Sequence, residues 1–199
     1  MNELHLSIRS SLECRFTPLL EKGVGLTVTI NCTLRELLCG QLGLTDEYLD
    51  QRIQTIFLNA RPVDNVDKVI VRNESILALS AAMPGILGAT MRKGGRYAAF
   101  RKSISQQPHE SDASKQSGRI TIKMFNMVAK EVGSCLLTAG VEVDGKDLYH
   151  VVRLLPEKLS DGIIKMYIDG QDIKPEMTSF KSLSKNRMFL FVTVCDRQR

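Results

Sequence analysis

The chain has 199 residues, of which 43% are hydrophobic and 25% charged, and its formal net charge is +5. This composition is globular and excludes the disordered class, while the lack of an apolar run near the ~20 residues that cross a bilayer predicts no membrane span. The length suits one large domain or two small ones. The positive charge favours nucleic acid, an anionic surface or an acidic partner without singling out any of them.

The cysteines are scattered and form no C-x-x-C pair. Without such a pair, or a second cluster at zinc spacing, the sequence predicts neither a metal site nor a redox motif. Scattered cysteines in an odd number are typical of reduced thiols, and the first residues lack the basic and apolar regions of a signal peptide. We therefore expect a cytoplasmic protein that needs no cofactor. The five cysteines are Cys14, Cys32, Cys39, Cys135 and Cys195.

The N-terminal half predicts several strands and one main helix. Its strand segments alternate apolar and polar side chains or are rich in β-branched residues. A short helix or turn is expected over residues 15–22. Thr33 is expected to cap a helix that runs through Leu38, with Glu36 at the capping-box position. The strands predicted in this half are residues 4–9, 26–30, 53–58 and 76–79.

The middle of the chain has a different character. Residues 84–105 are rich in glycine and carry five basic side chains with no acid between them. Residues 106–118 are polar and show no apolar period, which is typical of a flexible linker. The basic residues are Arg92, Lys93, Arg96, Arg101 and Lys102.

The C-terminal half repeats the alternation of strands and helices. Residues 128–137 and 147–155 have helical spacing, and Asp144-Gly145 predicts a turn. Asp169-Gly170 is a tight hairpin signal. The strands predicted here are residues 120–124, 163–168 and 188–194.

The two halves resemble copies of one unit, because five segments recur in the same order and the drift in spacing falls in loops. The alternative is two unrelated α+β halves. We therefore predict an α+β protein with two tandem domains, each a mixed sheet with one main helix packed across it. The predicted boundaries are a first domain at 1–86, a basic and polar connector at 87–118, and a second domain at 119–199. The recurring segments are 4–8 with 120–124, 19–24 with 136–141, 34–38 with 148–152, 57–61 with 167–171, and 76–79 with 189–192.

Four stretches of the first half are similar to the β-grasp sulfur carriers of molybdopterin and thiamine synthesis, which are relatives of ubiquitin. The resemblance covers residues 1–86 and implies a β-grasp fold for the first domain and a divergent copy for the second. A β-grasp unit has an exposed sheet face and an edge strand through which it can bind partners. The matching stretches are LTVTI (26–30), TLRELL (33–38), IFLNARPV (56–63) and NESILAL (73–79).

The chemistry of that family resides in a C-terminal Gly-Gly tail, which becomes a thiocarboxylate. The corresponding stretch here is residues 81–86, in which only Gly85 remains and after which the chain continues. Because a carrier needs a free terminal carboxylate, the unprocessed chain cannot perform this chemistry. The alternative is maturation by cleavage after Gly95, which would expose the pair Gly94-Gly95, or after Gly85.

The basic segment offers a binding surface of its own. Basic side chains interleaved with aromatic rings can contact a phosphate backbone and stack on bases. The competing interpretation is a connector whose Tyr97, Phe100 and Ile104 dock on a domain. We take the candidate partner-binding residues to be Arg92, Lys93, Arg96, Tyr97, Phe100 and Arg101.

No set of residues predicts catalysis. The histidines His5, His109 and His150 are far apart in sequence, and no Ser/His/Asp or Cys/His set can be assigned from spacing. The acidic group Asp46, Glu47 and Asp50 is predicted to be a solvated loop. We therefore expect a non-enzymatic interaction module, with another protein as partner. Nucleic acid and a second copy of the chain are the alternative partners.

Overall fold

The structure is a computed structural model that describes residues 2–101, 103–107, 114–155 and 159–195. In chain order its strands are β1 (Asn2–Ile8), β2 (Val24–Ile30), β3 (Cys32–Thr33), β4 (Thr55–Leu58), β5 (Arg61–Pro62), β6 (Ile70–Val71), β7 (Ser75–Ser80), β8 (Gln116–Phe125), β9 (Val141–Asp144), β10 (Ile163–Ile168), β11 (Gln171–Asp172) and β12 (Arg187–Val194). Most of the strands lie in mixed sheets, and two short strands, β3 and β6, pair only with each other, antiparallel.

Helices alternate with these strands. The α-helices are α1 (Ser10–Glu13), α2 (Thr17–Lys22), α3 (Gly85–Met91), α4 (Asn126–Ala139), α5 (Gly145–Arg153), α6 (Leu159–Gly162) and α7 (Met177–Leu183). The shorter helical turns are 3₁₀ turns at Cys14–Phe16 and Ala98–Arg101 and π-helical turns at Glu36–Gln41 and Tyr48–Arg52.

The chain divides into two compact units. Unit 1 combines Met1–Val24 with Ala129–Arg199, and unit 2 is Gly25–Val128. Both units mix helices with a mixed sheet, so the prediction of an α+β protein is confirmed. The unit boundaries differ from the predicted domains at 1–86 and 119–199. The reason is strand pairing, because alternation along the chain identifies a strand without identifying its partner.

In unit 1 the neighbouring strands are β11, β10, β1, β12 and β9, in that order. β1 runs parallel to β12, with Leu4 opposite Leu190 and Leu6 opposite Val192. On its other side β1 is antiparallel to β10. All of these side chains are buried, so the first strand of the chain is central to the core of unit 1.

In unit 2 the neighbouring strands are β2, β8, β7, β4 and β5. β7 runs parallel to β8, with Leu77 opposite Ile122 and Leu79 opposite Met124, and antiparallel to β4. The π-helical turn at Glu36–Gln41 buries Leu37 and Leu38. Its predicted capping box is confirmed, since Thr33 N donates to Glu36 Oε2 at 2.8 Å and Glu36 N donates to Thr33 Oγ1 at 3.2 Å.

Several local predictions hold and others are wrong. The hairpin at Asp169-Gly170 joins β10 to β11, and both residues have positive φ, 49° and 82°. Asp144-Gly145 is not a turn but the start of α5, where the Asp144 carboxylate accepts from Lys146 N at 2.8 Å. Helices α3 and α7 were not predicted. In the described part of the chain no helix has the length and apolar character needed to cross a bilayer.

Candidate functional site

The segment of residues 84–107, which we call the basic segment, is folded onto unit 2 rather than being a free connector. It consists of α3, a turn and the 3₁₀ turn at Ala98–Arg101. Lys93 N donates to Gln54 O at 2.7 Å, and Gln106 N donates to Pro62 O at 2.8 Å. These bonds fix the segment beside β4 and β5. Lys102 and residues 108–113 of the predicted linker lie outside the described residues.

The buried side chain of Arg101 holds the basic segment in place through hydrogen bonds. Its side chain is 4% exposed, and Nη2 donates to Asp64 Oδ1 at 2.7 Å while Nη1 donates to Asp64 Oδ2 at 3.0 Å. The guanidinium also donates to the backbone oxygens of Thr90 and Arg92 and to Ser105 Oγ. A bidentate pair of this kind fixes geometry. The prediction that Arg101 is free to contact a partner is therefore wrong, because its donors are used within unit 2.

The ammonium group of Lys93 is also bonded within unit 2. Its Nζ donates to Leu49 O at 2.8 Å and lies 3.8 Å from Asp50 Oδ1. Burial lowers the pKa of Lys93, since desolvation disfavours the charged ammonium. Lys93 therefore holds the segment to the π-helical turn at Tyr48–Arg52 and presents little charge to solvent.

The remaining predicted contact residues face solvent. Arg92, Arg96, Tyr97 and Phe100 are exposed, and the rings of Tyr97 and Phe100 have centroids 6.3 Å apart. The alternative in which the rings dock on a domain is wrong for Phe100, which is 84% exposed. The feature that sequence reasoning missed is the apolar side of α3, where Ile86 is 87% exposed.

Exposed apolar side chains concentrate in this segment. Of the ten large apolar side chains that are exposed among the described residues, five belong to it. An exposed apolar patch of this kind is typical of an interaction site. The five are Ile86, Leu87, Tyr97, Phe100 and Ile104.

The candidate processing glycines lie in ordered backbone. Gly94 has a φ of 58° and its N–H donates to Asp64 Oδ1 at 3.2 Å, and Gly95 N donates to Arg92 O at 3.1 Å. Gly85 begins α3 with a φ of 74°. The pair Gly94-Gly95 thus forms part of a hydrogen-bonded turn in the unprocessed chain.

The acidic group predicted to be a solvated loop is a structural cluster around Arg35. The Arg35 guanidinium bonds to Asp46 at 2.5 Å, Asp50 at 3.1 Å and Asp67 at 2.6 Å. Hydrogen bonds from Arg35 lower the pKa of Asp46. The cluster joins the two π-helical turns to the loop that holds Asp67, while Glu47 is exposed.

The described histidines and cysteines are not grouped into a chemical centre. His5 stacks on Phe191 with ring centroids 4.3 Å apart, and His109 lies outside the described residues. The cysteines are free thiols, of which Cys14 and Cys135 are exposed. Burial raises the pKa of Cys32 and Cys39, so these thiols are less reactive than free cysteine. No group of three possible metal ligands occurs within the part of the chain that the structure describes.

Comparison with known proteins adds no family to this description. No family model matches the chain, and no significant match exists among curated proteins or solved structures.

Proposed function

We propose that the chain is a non-enzymatic protein-interaction module that binds a partner protein through the basic segment. The observation that carries this proposal is the set of exposed apolar side chains on a segment that is itself fixed in place by Arg101 and Lys93. A surface that is ordered before binding loses less conformational entropy when a partner docks. Tyrosine and arginine, here represented by Tyr97 and Arg96, are also residue types enriched in interface hot spots.

Charge complementarity defines the partner. No Asp or Glu occurs from residue 75 to residue 109, and Arg92 and Arg96 are exposed beside the apolar side chains. The partner that fits is an acidic protein segment with apolar anchors, because its carboxylates would meet the arginines while its anchors cover Ile86 and Phe100.

The finer fold assignment is part of the same proposal. We propose that both units are β-grasp-like and arose by duplication. In support, each unit has a mixed sheet in which a two-residue hairpin lies beside a central parallel pair of strands. The departure from a tandem arrangement is that β1 lies in unit 1. A cytoplasmic location, expected from the scattered free thiols, belongs to this proposal as well.

The experiment is capture from the source cells with matched variants. The bait variant is the double substitution Ile86→Ser with Phe100→Ser, and the control is Leu154→Ser, which removes an apolar side chain that is 64% exposed in unit 1. We expect one acidic partner to be retained by the wild type and the control and lost with the double variant. Reconstitution with the purified partner should show weaker affinity at higher salt. Equal retention by both variants would refute the proposal.

Three other outcomes would replace it. Self-association of the purified chain in light scattering, abolished by the double variant, would make a second copy the occupant. A native fragment ending at Gly95 or Gly85 would support maturation to a carrier or modifier. Nucleic acid recovered with the wild type, with an affinity that falls steeply with salt, would support the nucleic-acid alternative.

A further inference from the structure

Two adjacent cavities in unit 2 lie beside the first residue of β4. The larger has a volume of about 310 Å³, at the lower end of the range typical of small-molecule sites. Its walls are predominantly apolar and come from β4, β7, the end of β8 and the chain before α3. The residues that supply its apolar surface are Phe57, Ala78, Leu79, Met83, Pro84 and Phe125.

Thr55 gives this cavity an unpaired polar atom. Its side chain lines both cavities and the residue is 1% exposed. Its Oγ1 is buried and has no hydrogen-bond partner among the described residues. A buried hydroxyl without a partner is uncommon and destabilising. Of the other polar side chains that line this cavity, Asn126 is bonded within the protein, since its Nδ2 donates to Ser80 Oγ and to Ala82 O, both at 3.2 Å.

The second cavity has a volume of about 250 Å³ and supplies positive charge. It shares Thr55 and Met83 with the first and is also lined by Arg92, Arg96 and Tyr97. Neither cavity has an Asp or Glu among the described residues that line it. The arginines therefore favour an anionic group in the second cavity, and the apolar walls of the first cavity favour an apolar chain.

We propose that the paired cavities bind a small monocarboxylate with an apolar chain. The chain lies against Phe57 and Phe125, the carboxylate faces Arg92 and Arg96, and rotation of the Thr55 side chain lets its buried Oγ1 donate a hydrogen bond to the carboxylate. The apolar side chains Ile86 and Leu87 on the exposed side of α3 do not line either cavity, while Arg92 and Arg96 belong both to this site and to the proposed protein-binding surface. The site thus adds a small ligand to the protein partner proposed above.

The test is a titration of the full chain with octanoate, followed by the shifts of backbone amide resonances. We expect saturable shifts at Phe57, Ala78 and Phe125. The double substitution Arg92→Gln with Arg96→Gln should weaken octanoate binding about tenfold, as expected for loss of a charge-assisted hydrogen bond. The same variant should bind octan-1-ol as the wild type does. The matched control is Arg72→Gln, an exposed arginine of unit 2 outside both cavities.

Thr55→Val separates the ligand role from a structural one. Because the hydroxyl has no partner among the described residues, the near-isosteric valine should leave the thermal midpoint of the free chain unchanged or raise it. It should nevertheless weaken octanoate binding several-fold. A lowered midpoint with unchanged octanoate affinity would overturn the role of Thr55. The absence of saturable shifts up to millimolar octanoate, or equal affinity in the arginine variant and its control, would overturn the site itself. Neither result would bear on the surface around Ile86 and Phe100.

Discussion

The two units build the same local arrangement from strands of different chain position. In unit 2, Asn59 N donates to Ile76 O and Ile76 N donates to Asn59 Oδ1, both at 2.8 Å. In unit 1, Asp169 N donates to Glu3 O at 2.9 Å and Glu3 N donates to Asp169 Oδ1 at 2.8 Å. Each hairpin turn is therefore tied in the same way to a neighbouring strand. That strand is β7 in unit 2 and β1 in unit 1.

The two units differ in the sequence separation between each hairpin and the strand with which it pairs. The hairpin at Asn59 is followed closely by β7, whereas the hairpin at Asp169 is tied to a strand at the opposite end of the chain. The entropic cost of closing a loop rises only slowly with loop length. The burial of Leu4 and Leu6 can therefore outweigh the cost of pairing strands from opposite ends of the chain. The same hairpin arrangement thus occurs with two different chain connectivities in this protein.

The largest expected effect comes from truncating one buried core side chain in each of the two strands to which the hairpins are tied. Leu6 in β1 and Leu77 in β7 are both fully or almost fully buried, and replacing either by alanine should cost about 2–5 kcal/mol of unfolding free energy. Amide hydrogen exchange shows which strands each substitution destabilises. Leu6→Ala should reduce protection in β10 and β12, and Leu77→Ala should reduce it in β4 and β8.

A control for this experiment is Ser7→Ala, which changes the opposite face of β1. It should cost far less. If Leu6→Ala instead reduced protection first in β4 and β7, β1 would belong to the sheet of unit 2, as a tandem domain at 1–86 requires, and the comparison of the units would fail.

The next effect distinguishes the units, because the basic segment that Arg101 holds in unit 2 has no counterpart among the described residues of unit 1. Asp64→Ala should cost about 3 kcal/mol, since it leaves the buried Arg101 guanidinium without its carboxylate. Arg101→Met should cost less, because Asp64 is partly exposed and can be hydrated. Urea unfolding measures both. Lys115→Met is the control, since its ion pair with Glu36 is exposed and should contribute little to stability. Equal effects for the three variants would show that Arg101 does not hold the segment.

A smaller effect compares the hairpin turns directly. Asn59 and Asp169 have φ values of 51° and 49°, a region that asparagine and aspartate tolerate better than alanine. Each alanine variant also loses one side-chain acceptor for a backbone N–H. We expect each to cost about 1–2 kcal/mol with a similar thermal shift. Strongly unequal costs would mean that the two turns are only superficially alike.

The smallest effect is a pH dependence in unit 2. A hydrogen bond from Lys115 and one from Thr33 N lower the pKa of Glu36. Its contribution to stability is therefore complete above the ordinary glutamate pKa of about 4.3 and is lost as pH falls through the lower pKa of the folded chain. Glu36→Gln should flatten the stability profile in this acidic range. An unchanged slope in acid-dependent unfolding would indicate that Glu36 has no linked effect.

Parts of the proposed binding surface were accessible to sequence reasoning and parts were not. The run of glycine and basic residues marked the segment, and the exposed Arg92, Arg96, Tyr97 and Phe100 were among the predicted contacts. Arg101 and Lys93 have the same residue types, but Asp64 and Leu49 bind them from distant positions in the sequence. No pattern within the segment could have shown that Arg101 and Lys93 bond within unit 2 while the other predicted contact residues are exposed.

The sequence by itself determined most of the local elements, because side-chain alternation, helix capping and turn chemistry act over a few residues. It sufficed for the capping box at Thr33, the hairpin at Asp169-Gly170 and strand β10. The tertiary structure alone decided that β1 pairs with β12, that Arg101 is buried, and that Thr55 faces two cavities. Each of these depends on groups brought together from distant parts of the chain, where burial and hydrogen bonding, rather than local spacing, select the partner.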